Sequence, residues 1–166
     1  MLSADDERFA VLRAARRVWA VAAVHGEAGR LENLHRALWD RFQAGDRLVY
    51  LGNYLGYGPD IPGTLDELLD FRRALLARPG MEAWDIVYLR GAQEEMWHKL
   101  LQIQLAVGPA EVLSWMLEQG LETTLAAYGG DAETALRRAR SGALELARWT
   151  NELRQRMQQQ DGHVEL

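Results

Sequence analysis

With 166 residues, 48% of them hydrophobic and 26% charged, the chain is long enough to bury a core and reads as one globular domain over 1–166, which excludes disordered and fibrous classes. Its net charge of −5, with Lys99 the single lysine among 19 basic residues, argues against a nucleic-acid partner. Cysteine is absent, which excludes disulfides and a cysteine nucleophile; no apolar run is long enough to span a bilayer and Met1 to Arg17 is too charged for a signal peptide, so no membrane partner and a cytoplasmic location are expected.

Asp5-Asp6-Glu7 opens the chain as a helix start, where negative charge favours the first turn. Val18 to Val24 is a continuous apolar run that predicts a buried strand; His25-Gly26 ends it, and Leu31, Leu34, Leu38 and Phe42 then recur at helical spacing. Leu48 to Leu51 repeats the pattern, ends at Gly52 in a Gly/Pro-rich loop through Pro62, and precedes a helix carrying Leu65, Leu68, Leu69, Leu75 and Leu76. Asp85 to Leu89 predicts the third strand, closed by Gly91 before a helix from about Glu94 to Leu105. Beyond Asp131 the chain is rich in Ala, Leu, Arg, Glu and Gln and predicts a helical tail over 132–160, with Leu136, Leu144, Leu146, Trp149 and Leu153 covering apolar surface.

The predicted class is α/β, a βαβαβ unit with parallel strands and right-handed crossovers followed by a helical C-terminal half. In such a sheet the loops after the strand C-termini gather on one edge, where ligands bind. Three glycine-bearing segments fall in those loops: Ala22-Ala23-Val24-His25-Gly26, Gly52-Asn53-Tyr54-Leu55-Gly56-Tyr57-Gly58 and Gly91-Ala92-Gln93-Glu94.

In order and spacing these segments resemble the GDxHG, GDxxDRG and GNHE motifs of the calcineurin-like metallophosphoesterases, in particular the serine/threonine protein phosphatase branch. The resemblance extends to Asp46–Gly52, to Tyr88-Leu89-Arg90-Gly91, and downstream to the tryptophan-bearing run Trp115–Leu125 and to Ala127-Tyr128-Gly129-Gly130-Asp131, covering 17–131. It implies a degenerate and C-terminally truncated form of the metallophosphoesterase fold.

In that family two divalent cations activate a water for in-line attack on phosphorus, held by Asp, Asn and His ligands. Matched position by position, the resemblance puts the first motif's aspartate at Ala23, the bridging aspartate at Asn53 and the asparagine ligand at Ala92, while the first motif's histidine is retained as His25. The phosphate-gripping arginine falls at Tyr57, the general-acid histidine at Gln93 and the aspartate that orients it at Gly56. The implied function is a catalytically inactive, phosphatase-like binding or regulatory module with no cofactor. An alternative is weak phosphoester hydrolysis through a single cation (Mn, Mg, Fe or Zn) held by His25, Asn53, Gln93 and Glu94.

Two readings of the Gly52–Gly63 loop stand side by side. His25, Asn53, Tyr57, Arg90, Gln93 and Glu94 line a polar pocket that takes a phosphorylated ligand without turnover, or they bond to one another and close it. Elsewhere the plainer readings are taken: His25 as a hydrogen-bonded structural residue, His35 and His98 without the partners of a zinc site, and Trp19, Trp39, Trp84, Trp97, Trp115 and Trp149 as core anchors. A parallel sheet needs both faces covered, so loss of the family's second sheet leaves apolar surface for the C-terminal helix or a second copy; a protein partner or homodimer is expected.

Overall fold

Three short strands, β1 (Arg17–Val21), β2 (Asp46–Tyr50) and β3 (Ile86–Tyr88), pair in parallel in the order β1-β2-β3 in the computed structural model, which describes residues 11–160 and His163. The crossovers are α1 (Ala28–Trp39) and α2 (Ile61–Leu76), so the expected βαβαβ unit is present. Asp60 caps α2 by accepting the Gly63 N–H at 2.8 Å, and Pro62 sits in the first turn, where a missing N–H costs nothing. The predicted helix start at Asp5-Asp6-Glu7 lies outside the described residues.

Strand ends depart from the apolar pattern by one to three residues. β1 stops at Val21 although Ala22 to Val24 remain strand-like in composition, because the Val24 and His25 N–H groups turn to the Asn53 carbonyl at 3.0 and 2.8 Å. β2 starts at Asp46, whose buried carboxylate accepts from Arg17 at 2.7 Å, Trp19 Nε1 at 3.1 Å and the Gln43 N–H at 3.1 Å. Burial alone would raise the Asp46 pKa; the Arg17 and Trp19 bonds overcome it and hold the group down at about 2. Asp85 belongs to a tight turn before β3, where it pairs with Arg47 at 2.7 Å.

The face of the sheet bearing Leu48, Tyr50, Ile86 and Tyr88 packs under α1 and α2, with Tyr50 and Tyr88 rings stacked at 4.9 Å. His35 on α1 is 2% exposed there, its ring stacked on Phe71 at 3.8 Å. Its Nε2 lies 2.8 Å from the Tyr50 hydroxyl and its Nδ1 2.5 Å from the Glu67 carboxylate. A neutral imidazole satisfies both contacts, donating Nδ1–H to Glu67 and accepting Tyr50 O–H; an imidazolium would donate to Tyr50 and strand its proton.

Burial pushes His35 down to about 4 and pushes Glu67 upward. The unfolded histidine titrates near 6.5, so between about 6.5 and about 4 the unfolded chain binds a proton that the folded chain refuses. Stability is therefore present above that window and falls as pH drops through it. The expected loss is on the order of 2 kcal/mol, the nearby Glu67 carboxylate offsetting part of the burial effect. Urea midpoints measured from pH 7 to pH 4 should show the slope, and His35→Gln, which keeps a donor and an acceptor, should flatten it.

The C-terminal half is helical but not one tail. After α3 (Ala92–Leu100) come α4 (Pro109–Met116), α5 (Glu122–Ala127), α6 (Ala132–Arg140) and α7 (Ala143–Gln158). The predicted 94–105 helix ends at Leu100 and continues only as a 3-10 turn at Ile103–Leu105; the predicted 132–160 helix breaks at Ser141-Gly142. Leu146, Trp149 and Leu153 are buried as expected, whereas Leu144, at the first turn of α7, is exposed. Of the six tryptophans only Trp97 and Trp149 are buried. Trp39 and Trp84 instead lie beneath the guanidinium groups of Arg78 and Arg13, at 5.0 and 4.0 Å from the ring centroids, and Trp115 faces outward. No helix among the described residues is long and apolar enough to cross a membrane.

Candidate functional site

The loops after β1, β2 and β3 do meet at one edge of the sheet, as the βαβαβ reading requires. They meet backbone to backbone: Gly26 N–H donates to the Tyr54 carbonyl at 2.8 Å and Asp60 N–H to the Gly26 carbonyl at 3.1 Å, while Asn53 supplies the carbonyl already taken by Val24 and His25. Gly58 sits so close to the first loop that a Cβ there would stand 2.0 Å from the His25 carbonyl oxygen.

Glu94 organises the other side of the junction. At 7% exposure its carboxylate accepts four backbone N–H groups: Asn53 at 2.7 Å and Gly91 at 2.8 Å on one oxygen, Tyr54 at 2.8 Å and Leu55 at 3.1 Å on the other. The bond to Gly91 is the reach of a third-position glutamate back to the residue preceding α3, half of a capping box. The other three N–H groups belong to the loop after β2. One carboxylate thus caps a helix and holds a neighbouring loop against it, and it is saturated by these donors.

Asn53 and Gln93 are likewise engaged. Asn53 Oδ1 accepts the Gln93 N–H at 3.0 Å, near the start of α3, and Gln93 Nε2 donates to the Gln119 carbonyl at 2.8 Å, in the kinked turn between α4 and α5. Gln93 Oε1 is buried without a partner, directed at the backbone of Gly56. The Gly56 N–H donates to Thr124 Oγ at 3.0 Å, so α5 also ties down the loop; Thr124 lies in the Trp115–Leu125 run, but nothing in its spacing announces a bond to a loop 68 residues away. His25 Nδ1 donates to the Leu55 carbonyl at 3.1 Å, and its ring meets the edge of Tyr57 at 5.3 Å.

His25, Asn53 and Tyr57 all adopt positive φ, at 51°, 57° and 62°. For asparagine this is tolerable, but for histidine and above all tyrosine it is strained backbone that the surrounding bonds must hold. The strain coincides with the motif-like segments and marks where three loops are forced into close approach.

The structure therefore brings His25, Asn53, Gly56, Tyr57, Gln93 and Glu94 into one cluster, with Tyr57 at its surface. Ala23 and Ala92 are exposed at its margins and carry no ligand atom. Arg90 contacts Glu95 at 3.3 Å and shares with Glu94, Tyr54, Trp97, Tyr128 and His163 the lining of a cavity of about 180 Å³ that His25, Asn53, Tyr57 and Gln93 do not line. Among the described residues no three His, Asp or Glu side chains converge as a cation site would need. His98 bonds Gln102 rather than Glu94.

Comparison of the chain with protein-family models, with curated proteins and with solved structures finds no match.

Proposed function

We propose that the protein is a degenerate member of the calcineurin-like metallophosphoesterases, without phosphatase catalysis, acting as a binding or regulatory module. The observation that carries this reading is the commitment of the loop junction's polar side chains to protein partners, with Gln93 Oε1 left as a buried acceptor without a bond. Each polar side chain that a cation or a phosphate would have to recruit already bonds protein: Glu94 through four N–H groups, Asn53 through Gln93, Gln93 through Gln119 and His25 through Leu55. Withdrawing Glu94 to ligate a metal would strand buried N–H donors, each at a cost of about 1–3 kcal/mol.

Chemistry points the same way. Two-metal phosphoester hydrolysis needs a bridging carboxylate and a general acid. Asn53 is neutral, and Gln93 has no proton of suitable acidity. The surroundings of the three segments, a parallel sheet whose strand ends feed them in order, support the ancestry without supplying the activity.

Hydrolysis of a generic phosphomonoester by the purified chain with excess manganese is expected to equal that of His25→Ala. Manganese-dependent turnover that His25→Ala abolishes would overturn the reading in favour of a reduced single-cation site.

A further inference from the structure

The cavity of about 180 Å³ lies against α3, separate from the loop junction although Glu94 borders both. Its apolar walls come from distant parts of the chain: Leu55 in the loop after β2, Leu65 on α2, Trp97 on α3, Leu101 just after it, Tyr128 at the end of α5 and Met157 on α7. All of these except the half-buried Met157 are at most 6% exposed. Arg90 and His98, which also line the cavity, are exposed and mark its mouth. Protein interiors hold few voids larger than a water molecule, so a void of this size among apolar and aromatic side chains is an exception to close packing.

The polar groups of the lining are already committed. Glu94 accepts its four backbone N–H groups, and the Tyr54 hydroxyl donates to the Leu89 carbonyl at 2.7 Å. His163 bridges the Tyr128 hydroxyl and the Asp66 carboxylate through its two ring nitrogens, at 3.2 Å each. At the mouth His98 bonds Gln102 at 2.8 Å and Arg90 contacts Glu95 at 3.3 Å. A charged ligand would therefore give up its hydration and meet no unpaired opposite charge in the walls. One donor is held loosely. The Trp97 Nε1–H meets the Met157 sulfur at 3.3 Å, and a thioether is a weak acceptor on a flexible side chain that can swing aside.

From this lining we infer that the cavity binds a small neutral aromatic molecule bearing one acceptor oxygen, which takes the Trp97 N–H in place of the sulfur. The size suits a single ring: a dry apolar cavity of ~150 Å³ admits benzene, and one of about 180 Å³ leaves room for a few more atoms. The walls suit an aromatic one. Trp97 and Tyr128 stack at 5.2 Å and offer ring surface that a third ring meets in offset or edge-on contact, with the Met157 sulfur favourable at a ring edge. The inference stands on the cavity and holds whether or not the chain descends from phosphatases.

Acetophenone and phenol are the probes, with benzoate as a charged counterpart of similar size. In heteronuclear NMR of the whole chain, acetophenone and phenol should each move the assigned Trp97 indole N–H signal, one of six tryptophan indoles, saturably and with a millimolar or tighter dissociation constant. Benzoate should bind at least tenfold more weakly. Met157→Trp, at a half-buried position on α7, should fill the cavity and weaken acetophenone at least tenfold while the melting temperature stays near the parent's. No saturable shift of the Trp97 signal up to the solubility limit of both probes overturns the inference. Acetophenone binding that persists undiminished in a folded Met157→Trp overturns it by placing the site elsewhere. Benzoate binding as tight as that of acetophenone overturns it by making the ligand an anion held by Arg90.

Discussion

Gly52→Ala is expected to lower stability by about 4 kcal/mol or more, among the largest effects of a single methyl group. Gly52 ends β2 with φ at +88°, a conformation in which an L side chain is strained before any contact is considered. A Cβ there would lie 2.3 Å from Gly91 N, 2.7 Å from Gly91 Cα and 2.9 Å from the Arg90 carbonyl carbon. All three are backbone atoms at the end of β3. They cannot retreat cheaply, because Gly91 N–H is bonded to Glu94 and Leu89 N–H to the Tyr50 carbonyl. For a chain of this length the loss corresponds to a fall of roughly 10 °C in Tm. Gly29→Ala is the control: it lies in α1 with nothing within 4 Å of its added Cβ, and should be neutral or stabilising by up to about 1 kcal/mol. Equal melting of the two variants would mean that the β2 and β3 loops are not in the close contact described.

That contact explains which parts of the molecule were legible in the sequence. The βαβαβ order followed from apolar runs closed by glycine, a local signal, and the gathering of three loops followed from topology. The end of β1 was not legible, since Ala22 to Val24 differ from strand residues only in what their N–H groups meet, and one of the partners is Asn53, far along the chain. The same holds for His35. Nothing near it in sequence announces Tyr50 and Glu67, which reach it only when α1 and α2 lie side by side over β2. Trp39 and Trp84 were read as core from residue type, yet each is shielded by an arginine that the fold brings from another segment. At the loop junction the residues were legible and their state was not: residue type cannot tell a carboxylate awaiting a ligand from one already saturated by N–H groups.

Glu94→Gln tests that state directly. The amide retains one acceptor oxygen and turns an NH₂ toward the pair of N–H groups that met the other carboxylate oxygen, either Asn53 and Gly91 or Tyr54 and Leu55. Two buried or half-buried donors are then unpaired and face another donor, while the remaining two bonds lose their charge. At about 1–3 kcal/mol per stranded donor, the expected loss is about 3–4 kcal/mol, and Glu94→Ala should lose at least as much. In thermal unfolding both variants should melt roughly 10 °C below the parent chain. Were Glu94 instead a ligand of a weakly held cation, its carboxylate would not be committed to the loops; Glu94→Gln would then cost little in metal-free buffer, and adding manganese would raise the parent's Tm as binding to the folded state draws the equilibrium. A large metal-independent loss together with a parent melt that manganese leaves unmoved is the result expected here. The two readings of Glu94 thus differ in whether metal moves the melt and in the size of what the substitution does.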